Sequence, residues 1–203
     1  MPGAKRVSRD DPVVGFTRAE LESYVGTTVP DLLGPDVRLL FVGINPGLWT
    51  AATQTHFAYP GNRFYPALRL AGIIDRDIER GVRMDQADRE HLIERGIGIS
   101  NIARRATAKA SELSNDELHD GGVALRALVR TIEPAVVAVA GITAYRTAFG
   151  RPKATAGPQP EDFEGAELWV VPNPSGLNAH ETIQSLAAAY RGPALAAGVV
   201  SAT

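Results

Sequence analysis

The chain contains no cysteine among its 203 residues. It therefore has no disulfide bond, no thiolate ligand for zinc and no cysteine-ligated iron–sulfur cluster, and a cytoplasmic location is expected. No metal site is expected either, because the histidines include no i,i+4 pair of the kind that binds zinc on a helix. The four histidines are His56, His91, His119 and His180.

Long apolar runs and an excess of positive charge are also missing. No stretch approaches the roughly 18 consecutive apolar residues that indicate a membrane span. Residues 1–11 are polar and lack the apolar segment of a secretory signal. Residues 1–12 are predicted to be disordered and residues 13–203 to form a single domain. The formal net charge is −2, so any surface that binds nucleic acid must be a local one, because phosphate binding needs basic side chains.

Apolar runs alternate with helix signals along the chain. Four short runs predict buried strands, at residues 39–42, 96–102, 135–141 and 168–171. Helices are predicted at residues 17–25, 63–70, 114–131, 143–149 and 181–191, with one or two more exposed helices within residues 75–94. This alternation predicts a three-layer α/β/α fold around a central, mostly parallel four-stranded sheet.

Several element ends carry specific signals. Thr17 with Glu20, and Ser114 with Glu117, form capping-box patterns at two helix starts. The dipeptide at residues 192–193, Gly-Pro, is expected to stop the last helix. Residues 50–61 and 150–165, which are rich in small residues, glycine and proline, are predicted to be loops.

An Asn-Pro-Gly turn directly follows the first predicted strand. Its sequence, GINPG, spans residues 43–47. In an open α/β sheet, ligands bind at the carboxyl ends of the strands. Asn45 can hold a water or a substrate through its amide, but it is neither a strong base nor a nucleophile. The motif therefore predicts an active site in which positioning does most of the work.

A second Asn-Pro turn, at residues 172–177 (PNPSGL), follows the last predicted strand. Because parallel strands end at one edge of the sheet, the two turns are expected to face each other across a cleft. Other enzyme signatures are missing. The chain has no Gly-x-Ser-x-Gly elbow, no phosphate-binding loop with its lysine and no dinucleotide fingerprint.

Five ordered segments of the chain resemble the mismatch-specific uracil/thymine DNA glycosylases, a branch of the uracil-DNA glycosylase superfamily. The segments are residues 43–48 (GINPGL), 57–65 (FAYPGNRFY), 96–101 (GIGISN), 117–122 (ELHDGG) and 173–177 (NPSGL). The resemblance covers about residues 36–192. It implies the fold of that superfamily.

The resemblance implies a monofunctional glycosylase of base excision repair that flips uracil, preferentially from G·U mispairs, out of duplex DNA. It would hydrolyse the N-glycosidic bond without a cofactor. Asn45 matches the residue that positions the attacking water. Phe57 matches the aromatic on which the base stacks, and backbone N–H groups near Ile44 and Phe57 would bind the uracil carbonyls. The residues expected in the base pocket are Gly43, Ile44, Pro46, Gly47, Thr50, Phe57 and Asn101.

The second turn is implied to be the DNA-binding part of the site. Leu177 matches an apolar wedge that fills the gap left by the flipped nucleotide, and backbone groups of the turn would read the unpaired guanine. The residues expected to bind DNA are Asn173, Pro174, Ser175, Gly176, Leu177 and Asn178. The partner is therefore double-stranded DNA containing uracil or a related lesion, and the protein is expected to be a monomer.

The chain departs from the family pattern at three places. Asn178 and Ala179 stand where the family commonly has Ser-Arg, so a cation next to the wedge is missing. Trp49 follows the first motif where small serines are usual, and Tyr59 replaces a frequent histidine. The nearest candidates for local positive charge are Arg63, Arg104, Arg105 and Lys109.

Two other interpretations stay open from the sequence. One is a non-catalytic α/β module that binds nucleic acid or nucleotides. The other is an enzyme that hydrolyses the N-glycosidic bond of a small molecule. Asn45 and Phe57 favour catalysis over the first alternative, and Leu177 favours duplex DNA over the second.

Overall fold

The structure, a computed structural model, describes residues 15–201. The disorder predicted for residues 1–12 lies outside the described residues, as do both ends of the predicted 13–203 domain. The strands are β1 (Leu39–Gly43), β2 (Ile97–Asn101), β3 (Val136–Ala140), β4 (Gly157–Pro158) and β5 (Glu167–Val171). The α-helices are α1 (Arg18–Glu22), α2 (Leu48–Thr53), α3 (Phe64–Leu70), α4 (Gln86–Glu94), α5 (Asn115–Ile132), α6 (Ile142–Ala148) and α7 (Ile183–Ala196).

The strands form one sheet in the order β2-β1-β3-β5-β4. The four predicted strands are all present and pair in parallel with one another. The number four is wrong, because β4 pairs antiparallel with β5 at the edge of the sheet. This fifth strand lies inside the predicted loop at 150–165. It consists of a glycine and a proline, so it carries no apolar alternation that would reveal it in the sequence.

The side chains of β1 alternate between two cores. Leu39 and Phe41 pack on one face of the sheet against apolar residues of α3, α4 and α7. Leu40 and Val42 pack on the other face against residues of α5 and α6. The alternation follows from the two-residue period of a strand. The sheet is therefore the middle layer of a three-layer α/β/α arrangement, as predicted.

Local capping signals place two helix starts correctly. Thr17 and Glu20 form a reciprocal capping box before α1, and Ser114 and Glu117 do the same before α5. Within the segment at 75–94 a single helix forms, and it begins after the N-cap Asp85, whose side chain accepts from the backbone N–H of Asp88.

Two predictions of helix boundaries are wrong. The loop predicted at 50–61 begins inside α2, a six-residue helix with no side-chain N-cap bond to announce it. Helix α7 does not stop at Gly192 but runs through Pro193 to Ala196. Gly192 packs against the Trp169 ring, which a Cβ would approach to 2.7 Å. The chain turns after α7 at Gly198, which has a φ of +63°, a left-handed conformation that favours glycine.

The sheet topology brings four strand ends to one edge. The chain runs from β1 outward to β2 and then returns to the other side of β1 as β3. The carboxyl ends beside β1 therefore form the switch point at which open α/β sheets bind ligands. Among residues 15–201, no helix combines the length and apolar character needed to cross a bilayer.

Candidate active site

A cavity of about 390 Å³ lies at this carboxyl edge of the sheet. Its volume falls within the roughly 300–1,000 Å³ that small-molecule sites occupy. Both Asn-Pro turns contribute to its wall, so they face a common space as predicted. The predicted site residues that line it are Gly43, Ile44, Asn45, Pro46, Gly47, Thr50, Phe57, Asn101, Asn173, Ser175 and Leu177.

Three predicted DNA-binding residues lie outside the cavity wall. Pro174 is buried, and its carbonyl accepts a hydrogen bond from the backbone N–H of Arg63. Gly176 packs so closely on Gly61 that a Cβ would lie 2.5 Å from the Gly61 carbonyl oxygen. The Asn178 side chain donates to the Asn173 carbonyl at 3.3 Å. These residues shape the second turn rather than the cavity.

The side chain of Asn45 is held in one orientation. Its Nδ2 donates to the carbonyl oxygens of Pro46 at 3.2 Å and Arg105 at 2.9 Å, and to Thr107 Oγ1 at 2.7 Å. The Thr107 hydroxyl donates its own hydrogen to the Lys109 carbonyl, so its oxygen is an acceptor here. Three acceptors around one atom identify that atom as the amide nitrogen. No residue within 15–201 donates to Oδ1, which is left to accept from a bound molecule.

The segment that holds Asn45 is itself attached to the first motif. The backbone N–H of Ala103 donates to the Ile44 carbonyl, and that of Thr107 donates to the Pro46 carbonyl. Arg105 forms an ion pair with Glu117 of α5, with 2.7 Å between Nε and Oε1. This pair lowers the pKa of Glu117 to about 2, chiefly through the hydrogen bond from Arg105. Residues 103–107, which lie behind Asn45, are therefore fixed to the first motif by backbone hydrogen bonds and to α5 by the ion pair.

Phe57 has an unusual backbone conformation for an aromatic residue. Its φ is +56°, a region that non-glycine residues rarely occupy. Its ring is half-buried and stacks on Phe64, with 4.0 Å between the ring centroids and 25° between the planes. The backbone N–H of Phe57 finds no acceptor within the described part of the chain. Strain of this kind is found where a site needs a particular geometry.

Gly43 leaves the room that the cavity needs at the end of β1. A Cβ at this position would lie 2.5 Å from Asn101 Oδ1 and 3.4 Å from the Phe57 ring. Gly43 is part of a regular strand, so close approach and not backbone freedom explains the glycine. Asn101, at the end of β2, in turn lies within 3.3 Å of the buried His56 ring.

The second turn is ordered by internal hydrogen bonds and by Arg63. The Ser175 backbone N–H donates to Asn173 Oδ1, and the Leu177 N–H donates to Ser175 Oγ. The Arg63 guanidinium donates to the carbonyl oxygens of Ser175, Asn178 and Glu181. On this scaffold the Leu177 side chain is 84% exposed. Among residues 15–201, Leu177 is the most exposed of the large apolar residues.

Two comparisons relate this chain to known proteins. The family model of the uracil DNA glycosylase superfamily matches residues 30–192. The chain belongs to the uracil DNA glycosylase superfamily. A solution NMR structure from Methanosarcina acetivorans, provisionally assigned as a uracil DNA glycosylase, is similar in fold with a TM-score of 0.57 at 18% sequence identity. That match covers 82% of this chain and 97% of the other.

Superfamily membership supports the activity of a DNA glycosylase, a hydrolase that acts on DNA. The cavity offers a fixed acceptor on Asn45, the aromatic ring of Phe57 and the backbone N–H of Phe57, which is unpaired within the described residues. Within residues 15–201, no group of three or more His, Asp or Glu side chains could hold a metal ion.

Of the four basic side chains that the sequence offered near the site, three have partners within the protein. Arg104 pairs with Asp31 at 2.8 Å, Arg105 pairs with Glu117, and Arg63 donates to backbone carbonyls. Lys109 is exposed and forms no ion pair with any residue of the described range. Of the four cations proposed from the sequence, Lys109 has the fewest internal partners.

Sequence reasoning missed several residues of the site. Thr107 orients Asn45 through a hydrogen bond. It belongs to no recognised motif, and no sequence pattern around it indicates this contact. The others that line the cavity without having been placed there are Leu21, Leu48, Asn62, Ala108, Ala110 and Ala140. Trp49 and Tyr59 also line the cavity, with 6.5 Å between their ring centroids, so these two departures from the family pattern lie at the site itself.

Proposed function

We propose that this protein is a monofunctional DNA glycosylase of the mismatch-specific uracil/thymine branch that removes uracil, most readily opposite guanine. The observation that carries the proposal is the orientation of Asn45. Its amide nitrogen is held by three acceptors, so its Oδ1 is directed to accept a hydrogen bond from a water in the cavity. Such a water is placed to attack the sugar carbon after the base departs.

An asparagine suits a reaction whose main barrier is the departure of the base. The bond to uracil breaks with development of positive charge on the sugar and negative charge on the base. A carboxylate would be a stronger base for the water, whereas an amide only positions it. The proposed enzyme therefore works through positioning and is expected to be slow.

The base would be held by stacking and by hydrogen bonds. Phe57 offers a ring that is fixed by Phe64 behind it, and its free backbone N–H can donate to a uracil carbonyl. A donor aimed at a carbonyl that gains negative charge stabilises the transition state. Asn101 lies beside this ring, at the end of β2, and can bond the edge of the base.

Leu177 would act on the DNA. Its exposed side chain can enter the duplex and fill the space of the flipped nucleotide, as apolar wedges do. Flipping costs a few kcal/mol and is easiest at a mispair, which favours G·U over A·U. The backbone of residues 175–178 is then adjacent to the unpaired guanine. These features of the second turn favour duplex DNA over a free nucleoside as the substrate.

The proposed reaction has no covalent enzyme intermediate. No lysine occurs in residues 43–48, 57–65 or 173–178, so these segments supply no amine that could form a Schiff base with the sugar. The protein would act as a monomer on DNA in the cytoplasm and would need no cofactor.

The proposal is tested by incubating the protein with labelled duplexes that contain G·U, A·U or G·T, and with single-stranded uracil DNA. Alkali then cleaves the abasic products. We expect G·U to be processed fastest, and Asn45→Ala to lose about a hundredfold or more in rate. Asn115→Ala, at the exposed start of α5, is the matched control and should retain full activity. Borohydride should trap no covalent complex.

The same experiment separates the alternatives. A module that only binds DNA would shift these duplexes in a gel without producing abasic sites. A hydrolase of small molecules would cleave deoxyuridine but leave the duplexes intact. The absence of abasic product from every uracil substrate would refute the proposal.

A further inference from the structure

His56 has no role in the mechanism proposed above, although it contributes to the cavity wall. It lies directly before Phe57, and its side chain is 95% shielded from solvent, since only 5% of the residue is exposed. Both ring nitrogens of His56 lie within hydrogen-bond distance of a partner, as is usual for buried polar groups.

The contacts of His56 determine its protonation. Nε2 lies 2.9 Å from the carbonyl oxygen of Pro30. A carbonyl only accepts, so Nε2 carries a hydrogen. Burial lowers the pKa of His56; the hydrogen bond to the Pro30 carbonyl and then the charge of Asp31 oppose this effect, whereas Arg104 and Arg89 reinforce it. The ring is therefore neutral, and Nδ1 presents a lone pair.

That lone pair faces the side chain of Asn101. His56 Nδ1 lies 3.3 Å from Asn101 Nδ2. Because Nδ1 can only accept, the atom opposite must be the amide nitrogen. The planar amide then directs Oδ1 to its other side, above Gly43, where a Cβ would be only 2.5 Å away. The acceptor of Asn101 is thus presented at the cavity, between the end of β1 and the Phe57 ring.

We infer that His56 is a positioning residue that sets the orientation of the Asn101 amide and so makes the cavity select bases that carry an N–H between two ring carbonyls. Uracil and thymine have an N–H between two carbonyls, and this hydrogen can be donated to Asn101 Oδ1. Cytosine has a lone pair at the same ring position, and two lone pairs repel each other. This inference rests on the proposed function for the kind of ligand, a pyrimidine base, but not for the geometry.

Without the His56 acceptor, nothing within the described residues prevents the Asn101 amide from turning over. The torsion that exchanges its oxygen and nitrogen is soft, with two nearly equivalent positions. The turned amide would offer N–H to the base and would accept the lone pair of cytosine. Selection by the ring N–H therefore depends on a residue that need not touch the base.

Two substitutions separate this role from a structural one. His56→Gln can place its amide nitrogen near the position of Nε2 and keep the bond to Pro30, but it lacks an acceptor opposite Asn101. His56→Asn can place its oxygen near the position of Nδ1 and keep that acceptor, but it cannot reach Pro30. His91→Gln is the control, since His91 is a buried histidine of α4 that does not line the cavity.

The experiment measures binding of 1-methyluracil, 1-methylcytosine and 1,3-dimethyluracil to each full-length variant by ligand-observed NMR, because the methyl group at N1 stands in for the sugar and removes the second ring N–H. Wild type should prefer 1-methyluracil to the other two, and His56→Gln should weaken binding of 1-methyluracil by about tenfold, the worth of one hydrogen bond to a buried partner. His56→Asn and His91→Gln should keep the preference. Melting temperatures show whether each variant folds.

Nitrogen-15 spectra of labelled histidine supply a second measurement, with His56→Gln identifying the His56 signals. We expect hydrogen on Nε2 and none on Nδ1. Hydrogen on Nδ1, an unchanged preference for 1-methyluracil in folded His56→Gln, or no measurable binding of 1-methyluracil to wild type would each overturn the inference. If the bases bind as expected but no duplex yields an abasic site, the proposed function fails while the role of His56 stands.

Discussion

Asn45 and Thr107 are separated by 62 positions in the chain, yet Asn45 Nδ2 donates to Thr107 Oγ1 at 2.7 Å. The threonine is buried, and its hydroxyl hydrogen is already donated to the Lys109 carbonyl. A residue outside every recognised motif therefore decides which atom of Asn45 meets the cavity. The geometry of the candidate site therefore depends on an orienting residue as well as on the asparagine itself.

We expect Thr107→Val to reduce uracil excision because Asn45 loses one of its three acceptors. The turnover rate should fall about tenfold with little change in KM, as expected when an interaction matters mainly in the transition state. Single-turnover rates on a G·U duplex measure this effect. Thr107→Ser should restore the rate, and Thr131→Val, on the exposed side of α5, should not alter it. Equal rates for Thr107→Val and wild type would contradict the role assigned to Thr107.

The ion pair between Arg105 and Glu117 predicts an unusual titration. The pKa of Glu117 is lowered from 4.5 to about 2, first by the Arg105 hydrogen bond and then by the backbone N–H of Ser114. A lowered pKa means that the pair stabilises the fold above pH 4.5 and that this contribution is lost as the pH falls from 4.5 towards 2.

Carbon-13 NMR of the Glu117 carboxyl should show this titration directly. In Arg105→Gln the pKa should rise towards 4.5 but stay below it, because the Ser114 contacts remain. The same pKa in both proteins would show that Arg105 is not the cause. Arg130→Gln serves as the control, because Arg130 also lies on α5 but pairs with a different carboxylate, that of Glu164.

Arg63 should determine the order of the second turn. It donates to three backbone carbonyls within residues 175–181, in and directly after this turn, whereas a lysine has no planar fork and can satisfy fewer of them. Arg63→Lys should therefore accelerate hydrogen exchange at the Asn178 amide by about tenfold. Arg69→Lys, at the exposed end of α3, is the matched control. Unchanged exchange in Arg63→Lys would mean that the turn is held by its own hydrogen bonds.

Leu177→Ala should separate stability from activity. The side chain is 84% exposed, so the free energy of unfolding should change by less than about 0.5 kcal/mol. Excision from duplex DNA should fall more than excision from single strands, because only the duplex has a gap to fill. Val123→Ala, an exposed substitution on α5, should affect neither. Equal losses on both substrates would rule out a wedge.

The main layers of the fold follow from local patterns. The runs at 39–42 and 135–141 are too apolar to be anything but buried, and the capping boxes at Thr17 and Ser114 fix two helix starts through contacts three residues apart. The local Gly-Pro signal predicted the wrong end for α7. The helix continues through Pro193 because burial of Pro193 and Ala194 outweighs the local cost of a proline. Strand β4 had no local signal at all.

The site divides in the same way. Asn45, Phe57 and Leu177 belong to short motifs next to strand ends, and the order of parallel strands brings such motifs together. The orientation of Asn45 by Thr107 and of Asn101 by His56 could not be predicted, because each depends on a hydrogen bond between side chains more than 40 positions apart. Hydrophobic periodicity carries no information about the direction of such bonds.

The sequence by itself determined a cysteine-free α/β chain with an asparagine after the first strand, an aromatic loop and an exposed leucine turn, because these are properties of neighbouring residues. Only the tertiary structure decided which face of each amide meets the cavity. It also decided that Arg63, a candidate DNA contact by charge, donates to the backbone of the second turn. The physical reason is that a hydrogen bond has a donor, an acceptor and a direction, and these are settled only when distant segments pack together.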